Sequence, residues 1–411
     1  MRLRRALLLC TAGLTLLWTN PAGAQGEVEP GHAAIPFDKW YAAGEREQIP
    51  WTIRLREQWM RADLRLAASF TVTVAARELN RRGANHELFL LARVCDPAGN
   101  WMKSHGLLSH KIEQPLPPAT EVSFTVNFLV RPGNYHLVLI LYDRVTGEHS
   151  LAKRPLRIAP LANDPLPEAF RDLPGVEFTP PAEGLDRFLE PQMTSRLWLP
   201  VLANQPLRVE VLINFGAGEP RLTPRDSNRR LWILARTLRL LAQLQVEGNA
   251  LRLTGVDGAA RRMLFQVDDA RSISWEDVRD TLAGTGAAGT ISVGALEGRS
   301  RNAWFFKETV LQLLTGRIQL GNDTDAAGAK RILIIASTPV EFAKLESGIR
   351  LPRAEDCNCR VYYFCYRFVD RMAADELGSL LGPLRPRRFD LYRPEDVRKA
   401  LGVVLKEASQ P

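Results

Sequence analysis

The stretch VEVLINFGAGEP, from Val209 to Pro220, is where this sequence comes nearest to a ligand loop. Val209–Ile213 reads as a buried strand, and Asn214 is the first polar residue after it. A glycine-rich loop of this kind can cradle phosphate with its backbone amides. A phosphate loop also needs a Lys and a Ser or Thr at fixed spacing, however, and none follows Gly218. A dinucleotide loop needs a third glycine that opens straight into a helix, and Arg221 stands in its place. A plain tight turn at Gly216 and Gly218, with Asn214 bonded to nearby backbone, accounts for the same residues.

Other reactive side chains are scattered. Cys357-Asn358-Cys359 is a metal or redox signal with no second Cys or His cluster beside it. Cys359 and Cys365 share one apparent strand, whose six-residue span of about 20 Å exceeds the roughly 7 Å reach of a disulfide. Those two are not expected to pair, and Cys95, Cys357, Cys359 and Cys365 read mainly as packing residues. The histidines, His32, His86, His105, His110, His136 and His149, all precede residue 159. The C-terminal half therefore has no His for a Ser-His-Asp or Cys-His arrangement. Asp268-Asp269 and Glu276-Asp277 lie near a strand end and a helix start, where acids are favoured without catalysis. No catalytic residue and no cofactor is assigned.

The elements that must position these residues fall into blocks. Arg2, Arg4 and Arg5, an apolar run from Ala6 to Trp18 and then Ala22-Gly23-Ala24 read as a secretory signal peptide over 1–24. The run is too short for a membrane anchor. The mature chain is thus expected to be secreted or periplasmic, with no integral membrane segment. Its net charge falls from +8 to +5 once the three leader arginines are gone. That mild surplus, mixed along the chain, gives no reason to expect a nucleic-acid partner. The tight basic cluster Arg385-Pro386-Arg387-Arg388 reads as a solvated loop.

After an N-terminal extension over 25–44, residues 45–158 show short alternating strands such as Phe70, Val72, Val74 and Phe124, Val126, Phe128. They predict an antiparallel β-sandwich of immunoglobulin-like architecture. Residues 159–206 are rich in proline and predict an extended connector. From Leu207 the pattern becomes α/β, with strands at Val209–Ile213, Ile332–Ala336, Arg360–Tyr366 and Phe389–Tyr392. An amphipathic helix at 229–246, a hairpin joined by Asp257-Gly258 and a closing helix from Pro394 complete it. The expectation is a doubly wound α/β domain of Rossmann type over 207–408.

Residues 207–407 resemble the von Willebrand factor type A (vWA) domain. The resemblance is carried by VEVLIN, the helix at 229–246, LRLTGVDGAARRMLFQV, Gly289-Thr290, RILIIAS, CRVYYFCY and FDLYRPEDVRKALGVVLKEA. The preceding LVRPGNYHLVLILYDRVTGEHSLAKRPLRI is similar to the region before such domains in VWFA-related proteins of acidobacteria. The family's adhesion site holds Mg²⁺ or Mn²⁺ through an Asp-x-Ser-x-Ser loop, a Thr and a late Asp. By position these fall on Asn214, Gly216 and Gly218, on Thr290, and on Ser337 or Thr338. Only Thr290 keeps the family's residue. Without carboxylates the loop cannot offset the dehydration of a hard cation, so the adhesion site reads as degenerate and free of metal.

The resemblance implies an exported, non-catalytic, adhesion-type protein that binds another protein without a metal. The alternative is an exported enzyme, a hydrolase or a thiol-dependent redox protein using Cys357 or Cys359. The expected docking face gathers Asn214–Arg225, Gly284–Arg301 and Ser337–Phe342 at the carboxyl ends of the strands. Its candidate partner-binding residues are Asn214, Phe215, Gly216, Gly218, Glu219, Thr290, Thr338 and Phe342, with Phe215 and Phe342 as apolar anchors.

Overall fold

A computed structural model describes residues 35–179, 195–216, 224–286, 299–315, 330–342, 349–367 and 374–410. The expected signal peptide over 1–24 and the candidate residues Gly218, Glu219 and Thr290 lie outside them. The N-terminal half contains β1 (Arg46–Glu47), β2 (Thr52–Met60), β3 (Leu66–Ala75), β4 (His86–Cys95), β5 (Gly106–Ile112), β6 (Glu121–Val130), β7 (Gly133–Asp143), β8 (His149–Ile158) and β9 (Val176–Phe178). It also holds two short helices, α1 (Phe37–Ala43) and α2 (Ala76–Asn80).

These strands form two antiparallel sheets, ordered β1-β8-β7-β4-β5 and β2-β3-β6-β9. Alternation decides their faces. Val122, Phe124, Val126 and Phe128 of β6 are buried, while Glu121, Ser123, Thr125 and Asn127 are exposed. The buried set shares one core with Leu137, Leu139 and Leu141 of β7 in the other sheet. On that second sheet's outer face, Phe37 of α1 packs with Phe89, Leu91, Val138 and Ile140. Strand β9 arises inside the proline-rich connector, where Val176-Glu177-Phe178 escapes the prolines and pairs with β6.

The C-terminal half contains β10 (Leu199–Val201), β11 (Leu207–Asn214), β12 (Leu244–Val246), β13 (Leu251–Asp257), β14 (Arg262–Val267), β15 (Lys330–Ser337), β16 (Cys359–Tyr366) and β17 (Arg387–Leu391). Its helices are α3 (Pro224–Leu241), α4 (Trp275–Gly286), α5 (Arg299–Thr315), α6 (Leu377–Leu380) and α7 (Pro394–Ala408). The sheet is ordered β14-β13-β11-β15-β16-β17, and β11 lies between β13 and β15. Val209, Val211 and Ile213 of β11 pack with α3 on one face. Leu212, Leu333 and Ile335 pack with Phe306, Val310 and Leu313 of α5 on the other.

The expected doubly wound domain must be corrected. Among the described residues strands hold 40% against 26% in helices, several sheets are antiparallel, and the helices are few. Double winding needs a helical crossover between successive parallel strands. Among the described residues no helix joins β15 to β16, and the β16–β17 crossover holds only the four-residue α6 and a 3₁₀ turn. The sequence supplies the reason: Pro339 and Pro352 interrupt the first crossover, and Gly378, Gly382, Pro383 and Pro386 the second. The edge strand β14 runs antiparallel to β13. The helix expected at 229–246 also ends early. Leu244–Val246 leaves it to pair in parallel with β10.

The two halves are joined by buried charges. Asp63, in the turn between β2 and β3, accepts from Arg61 at 2.9 Å and lies 3.7 Å from Arg236 of α3. Within the N-terminal half, Arg65 of the same turn pairs with Glu177 of β9 at 2.7 Å. Arg398 of α7 grips Asp164 through two bonds of 2.6 and 2.7 Å and donates to the Leu166 carbonyl. Burial would push the Asp63 carboxyl up, but Arg61, Arg236 and Arg65 together outweigh it and hold its pKa below the ordinary 3.8.

Candidate functional site at the carboxyl edge of the six-stranded sheet

Parallel pairing in register brings the ends of β11, β13 and β15 together, with Ile213 opposite both Gly255 and Ala336. Asn214, one residue on, is 1% exposed. Its side-chain oxygen accepts from the Gly216 and Gly258 amides, each at 3.1 Å, and its amide donates to Ser337 Oγ at 3.0 Å. The Ser337 hydroxyl in turn donates to the Thr338 carbonyl at 2.7 Å. Both oxygen lone pairs of Asn214 are thereby used, so it acts as a clasp between three strand ends.

Glycine is required beside this clasp. A Cβ at Gly216 would stand 2.6 Å from Asp257 Oδ1 and from the Gly258 amide nitrogen, so the β11 loop rides directly on the β13 turn. A Cβ at Gly258 would meet the Phe306 ring of α5 at 2.4 Å.

The apolar anchors need correcting. Phe215 is 2% exposed and packs beside Phe265 at 6.1 Å between ring centroids. Phe342 is 5% exposed and packs edge-on against Phe306 at 6.3 Å. Both belong to the core, and Thr338 is buried as well. The exposed side chains that the described part of this edge offers include Ala260 and Glu341.

Next along the edge, Tyr363 donates to Asp375 Oδ1 at 3.0 Å, and Arg388 pairs with Asp375 Oδ2 at 3.0 Å. Cys365 Sγ lies 3.7 Å from the same carboxylate. Burial first, then the Asp375 charge, pushes the Cys365 thiol up to about 12, so it stays protonated and is a poor nucleophile. Burial likewise raises the Tyr363 phenol well above its ordinary value. Cys357 and Cys359 are joined as a disulfide at the opposite end of the sheet, where β16 begins. The pairing of these two was left open by the sequence.

Two buried groups escaped the sequence reading. Glu210 sits inside the run taken as apolar, 1% exposed, with Arg208 at 2.8 Å and Arg252 at 3.5 Å. An acid flanked by apolar residues in a central strand was the available signal, with Arg252 opposite it in β13. The other is Arg230 on α3, 6% exposed. The sequence reading assigns it no place on the helix. Its spacing from Ile233, Leu234 and Thr237, all buried on the same helix, would have placed it inside.

The donors here do not suit a cation. Asn214 is neutral and its oxygen is engaged by two backbone amides.

No family model matches this chain, and no curated protein does. Among solved structures, the chain is similar to a Bordetella pertussis protein described as ApaA, with 9% identity over 28% of this chain and 97% of that one, at TM-score 0.19. A family 123 glycoside hydrolase from Clostridium perfringens shows 6% identity over 83% and 72%, at TM-score 0.23. A glycosyl hydrolase family 2 member from Bacteroides cellulosilyticus shows 10% identity over 71% and 36%, at TM-score 0.20. Similarity at this level carries no argument about fold or activity. Among the described residues no helix is long and apolar enough to cross a membrane.

Proposed function

We propose that this is an exported, non-catalytic protein that binds another protein without a metal ion through the carboxyl edge of the six-stranded sheet. The observation that carries the reading is the clasp at Asn214. Its oxygen is taken by two backbone amides and its amide by Ser337, which leaves this edge a rigid platform rather than a ligand set. The neighbouring thiol, held protonated, supports the same reading. So does the resemblance to VWFA-related proteins, whose adhesion loop is stripped of acids in this sequence.

The test is capture of a partner from the native envelope or secreted fraction by the full mature chain, with and without a chelator. Binding that survives the chelator and is lost in Ala260→Arg or Glu341→Arg supports the reading. Release by the chelator, or full binding by both variants, overturns it.

The second reading, a thiol-dependent redox protein, is favoured by the Cys357–Cys359 disulfide. Rapid, selective alkylation of these two thiols after mild reduction, with transfer of the disulfide to a dithiol, would establish it.

A further inference from the structure

Five buried arginines among the described residues, and the largely buried Arg61, can be compared directly. Arg61, Arg65, Arg236, Arg252 and Arg398 each meet a carboxylate within 4 Å. Arg230 does not. It is 6% exposed, and its Nε and Nη1 have no hydrogen-bond partner. Among the described residues the acid whose charge acts on it is Asp257, which lies beyond ion-pair distance and whose Oδ1 accepts from the Ala260 amide. Burial depresses its pKa to about 10, with Asp257 acting the other way.

A guanidinium does not escape this cost by losing its proton, and a buried charge without a partner is among the more expensive features a fold can keep. The position of Arg230 also matters. It faces inward from α3 on the helical face that carries Ile233, Leu234 and Thr237. Arg230 lies in the second turn of α3, the helix that follows β11, and the charge of Asp257 at the end of β13 acts on it, so it belongs to the carboxyl side of the sheet.

We propose that Arg230 anchors an oxyanion site at this edge, and that its ligand is a carboxylate presented by an acidic side chain of the partner. This deepens the binding reading above and rests on it for the source of the carboxylate. The recognition is charge-assisted hydrogen bonding from a desolvated guanidinium, whose planar donor fork matches a carboxylate. The site is therefore selective for an anion where the vWA resemblance would place a cation. Asp257 opposes the ligand's charge and weakens the site, so neutralising it strengthens binding.

The test uses the full mature chain and simple probes: sodium acetate and inorganic phosphate titrated against sodium chloride at matched ionic strength, read by thermal unfolding. The expected result is a saturable rise in Tm with acetate that is lost in Arg230→Met, reduced in Arg230→Lys and reached at lower acetate in Asp257→Asn. Phosphate acting through Arg230 while acetate does not would overturn the carboxylate assignment in favour of a free or lipid-borne phosphate. An equal rise in wild type and Arg230→Met, or no rise beyond chloride, overturns the site. Should Arg230→Met fail to fold, Arg230→Lys and Asp257→Asn carry the test between them, since no change of midpoint in either sinks the proposal. Capture of a partner that is indifferent to Arg230→Met leaves the binding function standing without this site. An acetate effect with no partner captured leaves the site standing without that function.

Discussion

The junction between the halves and the carboxyl edge of the six-stranded sheet both bury arginine, and they do so in opposite ways. At the junction Arg398 meets Asp164 through two nitrogens, and Arg236 shares Asp63 with Arg61. At the edge Arg230 meets no carboxylate within ion-pair distance among the described residues, and its Nε and Nη1 are unpartnered. Paired buried charges fix how two elements dock, because each is costly without the other. An unpaired one does no such structural work, so its retention points to something that arrives later. The same side of the sheet shows the difference in miniature: Asn214 is saturated and holds strand ends, while Arg230 on α3 is not.

If the comparison is right, breaking the junction has the largest effect. Asp63→Ala strands the arginines around it and should cost about 3–5 kcal/mol of unfolding free energy, measured in urea. A loss below about 1 kcal/mol would mean these arginines find other partners. The pH dependence follows from the lowered pKa of Asp63. Its contribution is fully present above the ordinary 3.8 and is lost as pH falls through the lower, folded value. The gap in stability between wild type and Asp63→Asn should therefore narrow below about pH 4.

Asp164→Ala should cost about 3 kcal/mol, because Arg398 keeps its bond to the Leu166 carbonyl but loses its carboxylate. Hydrogen exchange should rise in α7 and in residues 164–170 together. Protection lost in α7 alone would argue that the connector is held by its apolar contacts.

At the edge, Asn214→Ala leaves the Gly216 and Gly258 amides without their acceptor. The expected loss is about 1–3 kcal/mol, measured by chemical denaturation. Arg230→Met should have the smallest effect, within about 1 kcal/mol of wild type and in the direction of greater stability, since an apolar side chain of similar length removes an uncompensated charge. A loss of several kcal/mol would show that Arg230 is paired after all, and the contrast between the two regions would collapse.

Much of the local structure was legible in the sequence. The alternation in β6 and the Asp257-Gly258 turn mark elements through periodicity and turn chemistry, both local properties. Strand β9 was less legible, because three residues between prolines carry almost no periodic signal and are recruited by the exposed edge of β6. The doubly wound expectation failed for a related reason. A run of parallel strands suggests helical crossovers, yet the chain between β15 and β17 carries prolines and glycines where long helices would have to run.

The sequence by itself determined which residues were available at the carboxyl edge: an asparagine instead of an aspartate, glycines where hydroxyls would coordinate, and no histidine within reach in the C-terminal half. Only the tertiary structure decided what those residues do. Asn214 is tied to residues 44 and 123 positions away, and Phe215 turns inward onto Phe265. Among the described residues Arg230 is left without a carboxylate although arginine and acid are plentiful along the chain. The physical reason is that periodicity and propensity act over a few neighbouring residues, whereas pairing, burial and charge compensation depend on which distant segments the sheet brings side by side.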